Sequence, residues 1–229
     1  MTVVAEAPGR DAAADEFALP ARFATPAGRA QLALKRLVDV AGAAIGLVVL
    51  SPLLGLIAVL VWAESGYPIL YRWKVVGRRG RYFTGYKFRS MVPNAEALQR
   101  ELEARNEMTG PVFKMREDPR VTPVGRLLRR YSLDELPQLW SVVVGDMSLV
   151  GPRPPLQTEC ERFAPWQRRK LAVTPGITCL WQVEGRADIR DFDAWVRLDL
   201  AYIERWSLWL DLVILMRTAL AVVRGRGAY

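Results

Sequence analysis

Residues 129–138 read Arg-Arg-Tyr-Ser-Leu-Asp-Glu-Leu-Pro-Gln and hold the densest set of chemistry-bearing side chains in the sequence. Two adjacent carboxylates, Asp134 and Glu135, follow the arginines Arg129 and Arg130. One arrangement is a capping box, with Ser132 as N-cap and Glu135 three residues on. Pro137 weighs against that register, because it would fall at the fifth helical position, where a backbone donor is needed. With Asp134 as N-cap, Pro137 falls at the third, where none is needed. The spacing therefore predicts Asp134 at the mouth of a helix running to about Val144. An aspartate there is an ordinary cap. The same unpaired N–H groups attract a phosphate. On the residues alone, both roles stay open.

Other residues lean toward an anion. Gly151-Pro152-Arg153-Pro154-Pro155 sets one arginine in a stiff loop, where proline restricts the backbone on both sides and Arg153 can be aimed at little entropic cost. Lys87, Arg89, Arg120, Arg126, Arg129 and Arg186 add cations, each by itself an ordinary surface charge. Beside a carboxylate pair they suit phosphoryl transfer, where positioning and charge neutralisation supply most of the catalysis.

The composition removes several alternatives. With no histidine, imidazole bases, Ser-His and Cys-His pairs and His-containing zinc sites are excluded. Cys160 and Cys179 are too few for a disulfide framework and lack metal-ligand spacing, so reduced thiols are the simpler expectation. Acid-base and metal chemistry must then come from oxygen ligands, which favours a hard cation such as Mg²⁺. The net charge of +8 points to an anionic partner: nucleic acid, acidic lipid or a phosphorylated small molecule.

The elements that must position these groups are legible in outline, in an α+β, mostly helical pattern. Residues 1–30 are Ala-rich without sustained periodicity and read as a disordered tail. Residues 31–64 form a membrane element, because no charge occurs from 40 to 63, and 24 helical residues reach about 36 Å, enough to cross ~30 Å of hydrocarbon. Ser51-Pro52 interrupts that stretch, and basic residues flank it on both sides: Arg29, Lys35 and Arg36 before, Arg72, Lys74, Arg78, Arg79 and Arg81 after. A single span would carry one basic cluster across; a helix broken at Ser51-Pro52 that dips in and returns keeps both inside. Residues 65–229 make a compact domain. Within it, residues 69–76 and 81–88 pair as a short β-hairpin across Gly77-Arg-Arg-Gly80. Helices are expected over residues 94–107, from Thr122-Pro123 to Arg130 and over 191–205, while 150–155 and 174–177 read as Gly/Pro loops. Leu208–Val223 is apolar but carries Asp211 and Arg217, so it reads as an amphipathic helix on a membrane surface or in the core.

Taken together, several segments in fixed order resemble the monotopic phosphoglycosyl transferases, a bacterial sugar transferase family. They are Lys35-Arg36 with Asp39, the stretch with Ser51-Pro52, Tyr86-Lys-Phe-Arg-Ser-Met91, Asp118-Pro-Arg-Val-Thr122, Ser132-Leu-Asp-Glu-Leu-Pro-Gln138, Gly145-Asp-Met-Ser-Leu-Val-Gly-Pro-Arg-Pro154, Pro175-Gly-Ile-Thr178, Trp181-Gln-Val183 and Gly185-Arg186. Larger members carry upstream helices and an additional domain, so the sequence resembles the minimal catalytic form. The resemblance implies a re-entrant helix broken at Ser51-Pro52, on the cytoplasmic face of a bacterial inner membrane. It implies a compact catalytic domain with interfacial helices and transfer of a sugar-1-phosphate from a UDP-sugar to polyprenyl (undecaprenyl) phosphate, releasing UMP, as the first membrane step of bacterial exopolysaccharide or other glycoconjugate synthesis. Asp134 is implied as the nucleophile and Glu135 as the Mg²⁺ ligand. Arg129, Arg153 and Asp199 are implied to bind substrate or organise the site, with Lys87, Arg89 and Arg186 as further substrate-binding cations. A homodimer is compatible with this reading. Ser141 stands where the family usually has asparagine, and Cys179 where it usually has glycine.

Two other classes compete. A membrane-tethered nucleic-acid binder accounts for the charge, but no recognition motif is present and the arginines cluster near carboxylates. A non-catalytic membrane scaffold for polymer assembly would need Asp134 to be only a cap. Glucose or galactose is the expected sugar, although no residue identifies it.

Overall fold

The computed structural model describes residues 17–184 and 189–225. Order begins earlier than the composition suggested. Thr25 opens helix α1 (Pro26–Val49), its hydroxyl accepting from the Gly28 amide at 3.1 Å, with proline at the first helical position. Just before it, Phe23 is buried against Trp206, ring centroids 5.4 Å apart. The last part of the predicted tail is therefore anchored by an aromatic that an Ala-rich background conceals; residues 1–16 lie outside the described residues.

Helix α1 stops at Leu50, and helix α2 (Ser51–Ser65) leaves at a bend of 62°. Ser51 donates to the Val48 carbonyl at 2.8 Å, while Pro52 has no amide to continue the ladder. Neither helix alone is long and apolar enough to cross a membrane; the bent pair passes by length and composition.

Both ends of the pair are tied to the same body. Near the first, Arg36 donates to the carbonyls of Val142 (2.7 Å) and Val143 (3.0 Å), and Asp39 accepts from the Ser148 hydroxyl (2.7 Å) and the Leu149 amide (3.1 Å). Lys35 reaches the Val150 carbonyl at 3.1 Å and Asp211 at 2.6 Å. At the second, Glu64 accepts from the Val124 amide at 2.8 Å. Lys35 and Arg36, expected as flanking membrane-surface charges, thus turn inward. A cation at a helix C-terminus and a paired ammonium in a buried network are stronger uses of the charge than solvent contact.

Strands β1 (Leu70–Val76) and β2 (Tyr82–Phe88) form the expected antiparallel hairpin, with Leu70 opposite Phe88 and Val76 opposite Tyr82. Helix α3 (Ala95–Leu102) is shorter than its predicted run and ends in a 3₁₀ turn, Glu103–Arg105. Helix α4 (Pro123–Arg130) follows its predicted cap, the Thr122 hydroxyl accepting from the Gly125 amide at 3.0 Å.

The acidic segment departs from its predicted form. Ser132 adopts φ 52°, Leu133–Glu135 is a single 3₁₀ turn, and helix α5 (Gln138–Val144) starts only after Pro137. Asp134 is not an N-cap, and neither cap register holds. The left-handed residue reverses the chain directly after α4, and successive i→i+3 bonds carry it to α5. Pro137 ends up between the turn and α5, where its missing amide costs nothing.

A short parallel ladder, β3 (Ser148–Val150) with β4 (Gly176–Thr178), overlaps the edges of the two segments read as loops. Three-residue strands carry too little alternation to be seen in sequence. The approach demands glycine, because a Cβ on Gly176 would lie 2.0 Å from the Gly151 nitrogen. The ladder holds the chain just ahead of Arg153. Helices α6 (Leu180–Glu184), α7 (Phe192–Arg205, capped by Asp191) and α8 (Leu208–Val223, capped by Ser207) complete the domain. On α8, Asp211 is buried, accepting from Lys35, the Tyr202 hydroxyl (2.7 Å) and the Trp206 indole (3.0 Å), whereas Trp209, Met216 and Val223 are exposed.

Candidate active site

A groove of about 1870 Å³ collects most of the candidate residues. The turn after α4 contributes Asp134 and Glu135, the last turn of α4 contributes Arg129, β2 contributes Lys87, and the loop after β3 contributes Arg153. Leu47, Leu54 and Ala58 of the broken helix line the same groove, as does Trp140 of α5. Polar chemistry and an apolar lane therefore share one cavity.

Asp134 is buried, and Arg129 is oriented by a 3.0 Å bond from its Nε to the Ser90 hydroxyl. Burial pushes the Lys87 ammonium below the usual lysine value; Asp134 opposes this, Arg129 adds to it, and Glu135 pulls it back up. Arg129 is lowered by burial and supported chiefly by Asp134. A guanidinium stays charged through such a shift. The centre is thus two carboxylates interleaved with three cations, arranged to hold more negative charge than the protein itself brings.

Of the other predicted substrate residues, Arg89 also lines the groove, whereas Asp199 does not. Arg89 is buried, and its guanidinium donates to the carbonyls of Ser65 and Gly66, closing the end of α2. Through one guanidinium nitrogen it holds the end of α2, a cation meeting helix-terminal carbonyls at the edge of the groove. Arg89→Met should cost about 1.5–3 kcal/mol in chemical denaturation and leave donor KM near the wild-type value. Asp199 is fully buried behind the groove, paired with Lys170 at 2.6 Å. Burial raises its carboxyl above the ordinary value; Lys170 and then Arg153 oppose the rise. Asp199 thus acts behind Arg153, at the base of its loop. Arg186 lies outside the described residues.

Of the remaining cations, Arg126 is exposed, and Arg120 is buried in a pair with Asp118 at 2.6 Å, bracing the loop before α4. The Cys179 side chain is buried among Trp181, Trp195 and Phe163, with φ outside the left-handed region, so glycine's freedom is not needed there. Burial, then Asp199, pushes its thiol well up, which makes it inert. Ser141 is buried on α5, its carbonyl accepting from the Asp146 and Met147 amides. Both cysteines are free thiols.

Sequence reasoning missed Ser90, Lys170 and the aromatic pair Tyr71 and Trp73. The aromatic pair had a signal in its alternate positions on one strand, and Ser90 in its place within the Tyr86–Met91 segment; Lys170 had none.

Among the described residues, no group of three or more Asp, Glu, Cys or His gathers for a metal. Glu135 lines the groove beside Asp134, a single carboxylate ligand next to the space where substrate phosphates would sit. That suits Mg²⁺, which commonly takes one or two carboxylates and completes its shell with water and substrate phosphates.

The bacterial sugar transferase family matches residues 30–225, from within α1 to beyond the end of α8. The chain belongs to the bacterial sugar transferase family. Among curated members, it is 45% identical over 200 residues to the galactosyl transferase CpsE of Streptococcus agalactiae, covering 86% of this chain and 44% of that protein. It is 44% identical over 210 residues to the undecaprenyl-phosphate galactose phosphotransferase of Salmonella typhimurium, covering 89% and 43%. It is 41% identical over 199 residues to the exopolysaccharide production protein ExoY of Sinorhizobium fredii, covering 85% and 88%. This family member thus spans less than half of the first two relatives and most of the third.

Proposed function

We propose that the protein transfers a sugar-1-phosphate from a UDP-sugar to a polyprenyl phosphate such as undecaprenyl phosphate, with glucose or galactose as the sugar. The observation that carries this reading is the convergence of Asp134, Glu135, Lys87, Arg129 and Arg153 on a groove that also runs along the broken apolar helix. A diphosphate needs the cations, and an isoprenoid needs the apolar lane. The names of the galactose-transferring relatives point the same way.

In the mechanism we favour, an Asp134 carboxylate oxygen attacks the phosphorus that bears the sugar, and the bond from that phosphorus to the UMP oxygen breaks. A polyprenyl phosphate oxygen then attacks the same phosphorus and expels Asp134. Carboxylates serve as nucleophiles at phosphorus without a histidine base. Lys87, Arg129 and Arg153 neutralise the phosphate oxygens and hold the attacked centre in line. Glu135 would hold Mg²⁺, which supplies charge neutralisation to the diphosphate when bound.

The helix pair α1 and α2 is read as re-entrant. Both its ends bond to one domain, and the cations Arg72, Lys74, Arg78, Arg79 and Arg81 after it belong to the same body as the upstream Arg29. On this reading the groove lies at the cytoplasmic surface of a bacterial membrane, with α8 offering its exposed apolar side to the interface.

Detergent-solubilised full-length protein, offered a panel of UDP-sugars, should turn over UMP only with polyprenyl phosphate and Mg²⁺. UDP-glucose or UDP-galactose should be the preferred donor. Absence of UMP release across the panel would reject the assignment.

A further inference from the structure

We infer that Tyr71 and Trp73 form the platform on which the donor's nucleobase stacks, an inference that rests on the nucleotide-sugar reading above. Strand alternation puts both residues on one face of the hairpin, opposite Lys87 and Gly85 respectively. Their rings lie nearly parallel, centroids 5.8 Å apart and planes 15° from each other. Opposite Trp73 the partner strand carries only Gly85. A Cβ on Gly85 would lie 2.8 Å from the six-membered ring of Trp73, so a side chain there would lift the indole. Tyr71 is pinned by a 2.8 Å bond from its hydroxyl to Glu96. Burial, then Glu96, pushes that phenol up to about 12, so it remains a neutral donor. Both rings line the groove and are only half-buried.

Lys87 fixes where along the donor this platform falls. Its ammonium lies 5.4 Å from the Tyr71 ring centroid and 5.1 Å from that of Trp73, and it also feels the charges of Asp134 and Glu135. Strand β2, which carries Lys87, packs against β1 and against the Leu133–Glu135 turn, so the order across the groove is carboxylates, cation, aromatic pair. A sugar joined directly to the attacked phosphorus belongs on the carboxylate side of Lys87. The base, separated from that phosphorus by the second phosphate and a ribose, belongs beyond it. A flat ring on an aromatic face is worth a measurable stacking energy. The acceptor is a poorer fit here, because the apolar lane lies at Leu47, Leu54 and Ala58, whereas the platform is bordered by Lys87 and Glu96.

The test combines UMP binding by calorimetry with steady-state kinetics on detergent-solubilised full-length protein. Trp73→Ala should weaken UMP binding about 5- to 150-fold and raise donor KM by a similar factor, with polyprenyl phosphate KM within about twofold of wild type. Trp73→Phe should retain most of the affinity. Gly85→Val, which leaves the indole in place chemically but displaces it, should reproduce the loss, with circular dichroism verifying the fold of each variant. Donor KM raised with UMP affinity unchanged would put the sugar on the rings and overturn the inference. A rise confined to polyprenyl phosphate KM would put the lipid there and overturn it equally. Wild-type affinity in all three variants would leave the platform without a ligand. Wild-type protein that binds UMP through Trp73 but transfers nothing would reject the transferase reading while the platform stands.

Discussion

Asp134→Asn should lower UMP turnover by at least ~10³-fold while leaving donor binding close to normal. Amide for carboxylate keeps the shape of a buried side chain and removes the attacking electron pair, so the loss should appear in kcat rather than KM. A loss of activity alone does not separate a covalent route from one in which Asp134 is a general base within a ternary complex. The adduct separates them. Wild-type protein mixed with UDP-sugar and Mg²⁺ in the absence of acceptor should release UMP in a burst approaching one per active chain and gain the mass of a phosphosugar on the peptide containing residue 134. Asp134→Asn should show neither. A fully active Asp134→Asn would remove the nucleophile, and an active wild type that never forms the adduct would remove the covalent step. Glu135→Gln separates the neighbour's role: it should retain the burst at high Mg²⁺ but raise the half-maximal Mg²⁺ concentration by roughly tenfold or more.

The residues of the candidate site were legible in the sequence before their geometry was. Asp134 and Glu135 were legible because two carboxylates beside arginines, in a chain without histidine, leave few other reactive groups. The hairpin was legible because residues 69–88 alternate across a glycine-bounded turn, and α4 because Thr122-Pro123 is a start signal that no tertiary contact overrides. The helix break was legible for a local reason as well, a proline within an uncharged run. What stayed hidden depended on distant partners. The left-handed Ser132 that turns Asp134 away from a cap has no local marker, since serine is favoured in helix caps. The bonds of one Arg89 guanidinium nitrogen to the end of α2 join residues 23 and 24 positions apart and have no local marker. Lys35 and Arg36 looked like membrane-flanking charges because their partners lie more than a hundred residues away. Burial of a charge is decided by such partners, and hydrophobic periodicity does not encode it.

Lys170→Met should destabilise the protein by about 3–5 kcal/mol, because it strands the Asp199 carboxylate without its counter-charge in a fully buried site. The pH dependence follows from the direction of the Asp199 shift. Burial already holds that carboxyl above its ordinary value, with Lys170 opposing; removing Lys170 raises it further. An acid whose folded pKa exceeds its unfolded value contributes stability below the unfolded pKa that is lost as pH rises through the folded one. The deficit of Lys170→Met, measured by denaturant titration, should therefore be smallest near about pH 4 and grow toward about pH 8. A deficit that instead grows toward acid would show that the pair does not carry the charge as drawn. The double change Lys170→Met with Asp199→Leu removes both charges and should recover most of the stability, as buried pairs replaced by apolar groups commonly do. UMP turnover should not recover with it. Asp199 is coupled to Arg153, and a leucine there can support neither the guanidinium nor the loop backbone. Turnover should stay at least tenfold down at saturating donor, because Arg153 is needed where charge develops on the transferred phosphate. Stability restored together with full activity would reduce the Lys170–Asp199 pair to a packing element and free Arg153 from any dependence on it.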